Sequence, residues 1–442
     1  MSDKKIDVTE FLDDKYKEFS IYTIHNRAIP SITDGLKPVQ RRVLWVAMSQ
    51  AKGFIKVADL AGKTICIHPH GDASISSAIG NMTQDFCGAN NHPLFQGKGA
   101  FGSKVKGPGK GIGAPRYVSI KLSDFTKQTV FKDLNLVKEI PNYDGEYIEA
   151  EHFLPLVPMC LVNGVSGIAV GFATEILPYK LEDIIKVQEQ IMNGDTKIKE
   201  LVPYFKGFNG KIVFDKELGK YKTIGILTKK DNLEIRITEL PIGLDRDKYK
   251  KFLNGLVEKG HIKDSEDWSK KEYDFRIKCT RKTYNKTTKQ LQKLFRLEGI
   301  LSENITLIDA NNKLKIYNNA LEVVEEFTKW RFTYIKKRYE KYFDVMSKET
   351  TEKEELLKFI KFVVKENYVK KMITMSKENI KKTLQKQFPN INKMLGYGIQ
   401  VFSQDSILDI ENEIKGKIVD FSLIGIGINI NLDPIAFPEI SA

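Results

Sequence analysis

Residues 318–365 keep helical spacing for about 45 positions, with Leu321, Val324, Phe327, Trp330, Tyr334 and Tyr342 recurring while Lys, Arg and Glu fill the other faces. At 1.5 Å per residue such a helix spans roughly 65–70 Å, longer than a small domain. A helix of that length needs a partner helix along most of it. The returning segment 406–418 is the expected partner, with a small helical knob over 368–397 between them. The last 20 residues, ending GIGININLDPIAFPEISA, are expected to be a tail or an annealed edge.

The rest of the chain must then hold its own cores. At 442 residues and 41% hydrophobic, it has material for two to four domains. A formal charge of +13 points to a polyanionic partner, nucleic acid first. Four dispersed cysteines with no C-x-x-C pair speak against a disulfide scaffold and fit a reducing compartment. The start, MSDKKIDVTEFLDD, lacks the apolar stretch of a secretory signal, and no run of about 18 apolar residues suggests a membrane span. The expectation is a soluble cytoplasmic protein with no membrane partner.

An α+β multidomain chain in three parts is expected. In residues 1–150, a helical pattern over 10–49 is interrupted by Pro30 and the Asp34-Gly35 turn. Residues 37–48 (KPVQRRVLWVAM) put Val39, Val43 and Val46 on one face, with Pro38 at the first turn. A short helix at 56–66 follows, then the break His68-Pro69-His70-Gly71-Asp72, with Asp72 expected to cap a helix over 73–86. Helix, turn and helix, followed by a basic loop and a strand, is the outline of a winged-helix DNA-binding unit. Residues 151–317 read as mixed α/β. Their apolar, glycine-punctuated run 158–173 is expected as strand and turn, and strands 223–227 and 233–240 flank a hairpin turn. Helices are expected near 247–259 and 287–297, and a strand at 273–279. Residues 318–442 form the helical third part.

Residues 97–117 (GKGAFGSKVKGPGKGIGAPRY) hold seven glycines, five cations and no acid, and end on a tyrosine. Glycine removes the side-chain barrier to a ligand, and Lys98, Lys104, Lys106, Lys110 and Arg116 can neutralise phosphates. Tyr117 is the candidate nucleophile. A phenol has a pKa near 10, so attack on phosphorus needs a cation or base to favour phenolate, and Arg116 supplies fixed charge. The dipeptide itself carries little, because Arg338-Tyr339 repeats it on the long helix. His68 and His70 can donate to a phosphate or relay a proton. A metal reading of Cys66, His68 and His70 competes, though Pro69 disfavours a regular three-ligand strand. Arg27, Lys37, Arg41 and Arg42 are either phosphate grips or an ordinary solvated basic face. No nucleotide-hydrolysis motif occurs. Asp409, Glu411 and Glu413 suit Mg²⁺ poorly, because residues two apart on a helix point to different faces.

At this point Asp34 to Leu44 (DGLKPVQRRVL), the His68–Asp72 run, residues 97–102, Arg116-Tyr117, residues 142–145 (NYDG) and residues 161–171 (LVNGVSGIAVG) stand together. In order and spacing they resemble the breakage-reunion subunit of type IIA DNA topoisomerases, as found in gyrase and topoisomerase IV. The match is strong over the first 175 residues and rests on architecture and Glu239-Leu240-Pro241 beyond them. The resemblance implies a winged-helix cleavage domain, a mixed α/β tower over 151–317, and a long antiparallel coiled coil ending in an exit-gate dimerisation knob. It implies that Tyr117 forms a 5′-phosphotyrosyl link, with Arg116 stabilising the transition state. Lys37, His68 and His70 match family DNA contacts, Arg27 and Arg42 match basic residues lining the cleavage site, and Ile168 matches an isoleucine that wedges between base steps.

Further implied are double-stranded DNA as substrate, a homodimer, and a partner subunit that binds Mg²⁺ and hydrolyses ATP. A phage-encoded member would act in the host cytoplasm. Ala73 and Ser77 stand where bacterial relatives carry a serine and an acid that anchor quinolones, so weak quinolone action is expected. A chain stopping at Ala442 without a DNA-wrapping domain is expected to relax and decatenate rather than supercoil. Two rivals remain: a His-x-His/Tyr single-strand nickase, and a non-catalytic coiled-coil DNA-architectural protein.

Overall fold

The computed structural model describes residues 7–50, 53–195 and 197–429. The chain divides into two units, Met1–Arg331 and Phe332–Ala442.

In the first unit, Pro38 opens helix α1 (Pro38–Gln50), and the Gln40 side chain accepts the Lys37 N–H at 2.9 Å. The buried stripe of α1 is Val43, Leu44 and Ala47, all fully covered. Val39 and Val46 are only half-buried, one position off the expected face. Strand β1 (Ile55–Lys56) leads into α2 (Val57–Ile65). Helix α3 (Asp72–Thr83) then starts at Asp72 itself, with Gly71 in the cap position and no side-chain cap bond. The expected Asp72 cap is therefore absent. Strands β2 (Phe95–Lys98) and β3 (Ser119–Leu122) complete a small antiparallel sheet in the order β1-β3-β2. Its register pairs Lys98 with Ser119 and Lys56 with Ser119 from the other side.

The run 158–173 begins as a helix, α4 (Met159–Asn163), before turning into the hairpin β4 (Val165–Ile168) and β5 (Ala173–Ile176). A short apolar run buried on all sides suits helix and strand alike, and here Pro158 starts a helical turn. These elements share one core with α1, α2 and α3: Val43, Leu60, Ile79, Ile120, Phe153, Cys160, Leu307 and Phe327 all belong to it. The core thus draws on both sides of residue 150.

A second core lies under a four-stranded sheet of β8 (Ile226–Lys229), β9 (Glu234–Glu239), β11 (Phe275–Cys279) and β10 (Ile262–Asp267), in that spatial order, with α5 (Arg246–Glu258) and α6 (Thr288–Leu294) against it. The β8–β9 hairpin turns through Asn232 and Leu233 at φ 59° and 60°, the left-handed pair that matches strand twist. Thr223 and Ile224 of the expected strand 223–227 belong instead to β7 (Lys220–Ile224), which pairs with β6 (Lys211–Asp215) and β12 (Glu298–Leu301). Gly225 separates the two sheets; a Cβ there would meet the Glu239 carbonyl at 2.4 Å. Among the described residues every strand pair is antiparallel.

The long helix runs Ala320–Lys365. In the first unit its Arg331 is buried against the Asp133 carboxylate and donates to the Pro155 carbonyl at 2.9 Å. In the second unit it meets the returning helix Gln404–Asn429. Ion pairs Lys361–Glu411, Lys353–Glu413 and Lys417–Glu349 run in opposite chain directions, so the two helices are antiparallel. Glu411 and Glu413, weighed above against Mg²⁺, are seam partners of lysines. Between the helices, Tyr368–Thr374, Lys377–Leu384 and Ile391–Met394 enclose a small core of Phe359, Leu384, Phe388 and Met394. The expected tail is helical as far as Asn429, and 430–442 lies outside the described residues.

Candidate nucleic-acid interface

Tyr117 sits two residues before β3, at the end of the glycine-rich strap that leaves β2. Its N–H donates to the Ala114 carbonyl at 2.8 Å, and Lys56 Nζ donates to its carbonyl at 3.2 Å. The backbone is fixed while the side chain is 68% exposed, so its hydroxyl faces solvent. The Arg116 guanidinium lies 4.8 Å from the Tyr117 ring centroid, a cation held on the face of the phenol.

The strap differs from its sequence reading in two ways. Several of its glycines serve packing within the protein: a Cβ on Gly97 would strike Phe101 at 2.5 Å, and one on Gly102 would strike the Lys110 carbonyl at 2.3 Å. Nor are all five cations available to phosphate. Lys104 is buried, with Nζ 2.7 Å from both Glu239 and Glu272, and Lys110 is 2.8 Å from Asp245. Lys98, Lys106 and Arg116 are exposed, as is Lys110 despite its pairing with Asp245.

The two histidines stand just past the far end of α2. Arg42 donates through Nε and Nη2 to Glu149 at 2.5 and 2.9 Å, and through Nη1 to His68 Nδ1 at 3.0 Å. An arginine only donates, so His68 Nδ1 accepts and its proton sits on Nε2. Burial, then the charges of Arg42 and His70, push the His68 pKa down to about 4, so the ring is neutral. His70 meets it edge-on at 4.9 Å and lies 3.3 Å from the Tyr22 hydroxyl. This arrangement overturns the metal reading: His68 Nδ1 is taken by a cation. Among the described residues no group of three metal-capable side chains occurs.

Arg41, expected to grip a phosphate, is turned inward instead. Its guanidinium grips Asp34 at 2.6 and 2.8 Å, and Asp34 also accepts from the N–H groups of Leu36 and Phe153. Arg41 therefore ties a turn to the core and is not presented to a phosphate. Arg42 is likewise anchored, and its remaining bond goes to His68, itself only 4% exposed. Neither Asp34 nor Glu149 was singled out as a partner from the sequence. Asp34 lies seven residues before Arg41 inside a quoted motif, whereas Glu149 is 107 residues from Arg42 and left no local signal.

A third group gathers at the β4–β5 hairpin. Lys37 Nζ donates to the Ser166 carbonyl at 2.6 Å, and burial lowers its pKa while Glu175 opposes the shift. A Cβ on Gly167 would meet the Ala28 carbonyl at 2.2 Å, so the hairpin lies directly on the turn that carries the exposed Arg27. Next to it Ile168 is 88% exposed. Ala73 and Ser77 share the exposed face of α3.

Tyr117 and His68 thus flank opposite ends of α2. Val57 N–H donates to the Val118 carbonyl and Ala58 N–H to the Pro115 carbonyl at one end, and His68 N–H donates to the Ile65 carbonyl at the other. Nine helical residues separate the two ends by roughly 14 Å. Among the described residues no helix is long and apolar enough to cross a membrane.

The family model for the DNA gyrase/topoisomerase IV A-type subunit matches residues 27–424, and the chain belongs to that family. The DNA topoisomerase medium subunit of Enterobacteria phage T4 is 31% identical over 434 residues, 93% of each chain. DNA topoisomerase 2 of Arabidopsis thaliana is 33% identical over 368 residues, 80% of this chain and 25% of that one. The chain spans about a quarter of the length of such topoisomerase 2 relatives. The crystal structure of the Plasmodium falciparum topoisomerase II DNA-binding, cleavage and re-ligation domain matches with a TM-score of 0.83 and 28% identity, over 98% of this chain and 63% of that one.

Proposed function

We propose that this chain is the DNA-cleaving and religating subunit of an ATP-dependent type II DNA topoisomerase, and that Tyr117 is its nucleophile. The observation that carries this reading is a solvent-facing phenol with an arginine on its ring, closing a basic strap, in a chain of this family. In the reaction, Tyr117 Oη bonds to a backbone phosphorus and loses its proton. The bond from phosphorus to the 3′ oxygen breaks, and that oxygen leaves as a hydroxyl. One phosphodiester replaces another, so the link reverses when the 3′ hydroxyl attacks and releases the phenol. Arg116 stabilises charge gathering on the phosphoryl oxygens. His70, half-buried against the neutral His68 that Arg42 fixes, offers a ring N–H to the backbone, joined by Lys37 and Arg27, while buried His68 supports it from behind. Ile168 wedges between bases and bends the duplex.

A staggered double-strand break needs two such tyrosines, hence a homodimer of this chain. Glu411 and Glu413, two of the three acids weighed for Mg²⁺, are occupied by lysines across the helix pair. The ion and the ATPase are assigned to a partner subunit. On this reading residues 1–150 are a winged-helix cleavage domain, 151–317 a tower, and 318–442 a coiled coil with an exit-gate knob.

The test is strand passage. Mixed with its ATPase subunit, Mg²⁺ and ATP, the chain should relax supercoiled circles and separate catenanes. Nicking of one strand by this chain alone with a divalent ion would favour the nickase instead. Bending of DNA with no covalent product would favour the architectural reading.

A further inference from the structure

The strap between β2 and Tyr117 is not a loop lying on one domain. Its tip is plugged into the second hydrophobic core. Val105 is 2% exposed and belongs to the cluster built by Ile235, Tyr249, Phe275 and Leu297. Beside it Lys104 Nζ reaches the Glu239 carboxylate at 2.7 Å, the Glu272 carboxylate at 2.7 Å and the Gly207 carbonyl at 3.1 Å. The Tyr273 hydroxyl donates to the Lys104 carbonyl at 3.0 Å, and Lys110 closes the other side on Asp245.

From this plug the chain returns to Tyr117 through bonded steps. Gln84, just past the end of α3, donates to the carbonyls of Phe101 (3.0 Å) and Lys110 (3.3 Å) and accepts the Gly109 N–H at 2.8 Å. Phe101 and Ile112 form an antiparallel bridge, and Gly113 N–H donates to the Ala100 carbonyl at 2.8 Å. Ala114 then accepts the Tyr117 N–H. Flexible glycine chain is thereby made into a braced strut, fixed at one end by Gln84 and at the other by Lys104 and Val105.

We propose that Lys104 is a positioning residue for Tyr117. Its clamp on Glu239 and Glu272, with the Val105 plug, holds the strap against the second core. The inference rests on Tyr117 being the nucleophile. Glu239 and Lys104 are both buried, so removing the cation alone would strand a carboxylate. The informative variant is therefore the neutral pair Lys104→Met with Glu239→Gln, with Val105→Ala as a milder second route and Lys104→Arg as the conservative control.

Each full-length variant is mixed with the ATPase subunit, Mg²⁺ and a nicked duplex that traps the cleaved state. Single-turnover cleavage at saturating DNA is followed beside DNA affinity. A nucleophile displaced by about 1 Å can cost around a hundredfold in rate. The double variant should therefore cleave about tenfold to a hundredfold more slowly with DNA affinity within about twofold of wild type, Val105→Ala should slow less, and Lys104→Arg should keep most of the rate. Wild-type cleavage rates in both the double variant and Val105→Ala, or a loss confined to DNA affinity, would overturn the proposal. If the double variant does not fold, Val105→Ala decides alone. Cleavage persisting in Tyr117→Phe would instead sink the underlying assignment, so the two failures are distinct.

Discussion

Arg42 Nη1 lies 3.0 Å from His68 Nδ1, and because the guanidinium can only donate, this one contact sets the tautomer of a buried histidine. Glu149 holds Arg42 from behind with two further bonds. The buried His68, and through it the half-buried His70 beside it, is thus oriented by a residue pair 107 positions apart in the chain.

Glu149→Gln keeps the shape of that support and removes its charge, leaving Arg42 buried without a counter-ion. Stability should fall by about 3 kcal/mol, read from urea unfolding. A loss below about 1 kcal/mol would show the pair to be ordinary surface charge.

The same cluster fixes a pH dependence. Folded His68 titrates at about 4, whereas a free histidine titrates near 6.5. Between these values the unfolded chain binds the proton first, so stability is complete above pH 6.5 and declines as pH falls toward 4, by up to about 3 kcal/mol from this residue. His92 and His152 are also lowered, chiefly by burial, and add in the same direction. The difference between wild type and His68→Gln, measured by unfolding from pH 7 to pH 4.5, isolates the term. Parallel pH profiles for the two proteins would contradict it.

Arg331 and Asp133, each 2% exposed, fasten the start of the long helix to the first core. Arg331→Met should destabilise the protein by about 3–5 kcal/mol, because it takes the guanidinium out of a buried ion pair. Adding Asp133→Asn should recover part of that loss. An unfolding series in which the double variant is no better than the single would refute the pairing.

Ile168 offers the opposite pattern. At 88% exposed it supports no core, so Ile168→Ala should change stability by less than about 0.5 kcal/mol. Duplex bending, read by end-to-end energy transfer, should fall, and affinity should weaken about tenfold, some 1.4 kcal/mol. Unchanged bending would remove the wedge from the account.

What could be read from the sequence follows the range of the forces involved. Periodicity is local, so the long helix was legible to within two residues at its start, and the hairpin turn was legible at Lys229–Asn232, one residue ahead of where it falls, because Leu233 belongs to the turn and not to the strand. The strap and its terminal tyrosine stood out by composition. The fate of Lys104 did not, because Glu239 is 135 residues away and a lysine bound for burial looks like any other. The helix at Met159–Asn163 was missed because an apolar run of that length has no distinguishing period. Arg41 and Arg42 are neighbours of one type, yet each is claimed by a different acid, a distinction only the folded chain makes.

The most direct measurement is the chemical identity of the attachment. Cleavage complexes formed with the ATPase subunit, Mg²⁺ and duplex DNA are stopped with denaturant, digested, and the nucleotide-bearing peptide is sequenced by mass spectrometry. The account predicts a 5′ phosphate esterified to Tyr117, and no adduct from Tyr117→Phe. A nucleotide carried on any other residue, or an undiminished yield from the phenylalanine variant, would contradict it.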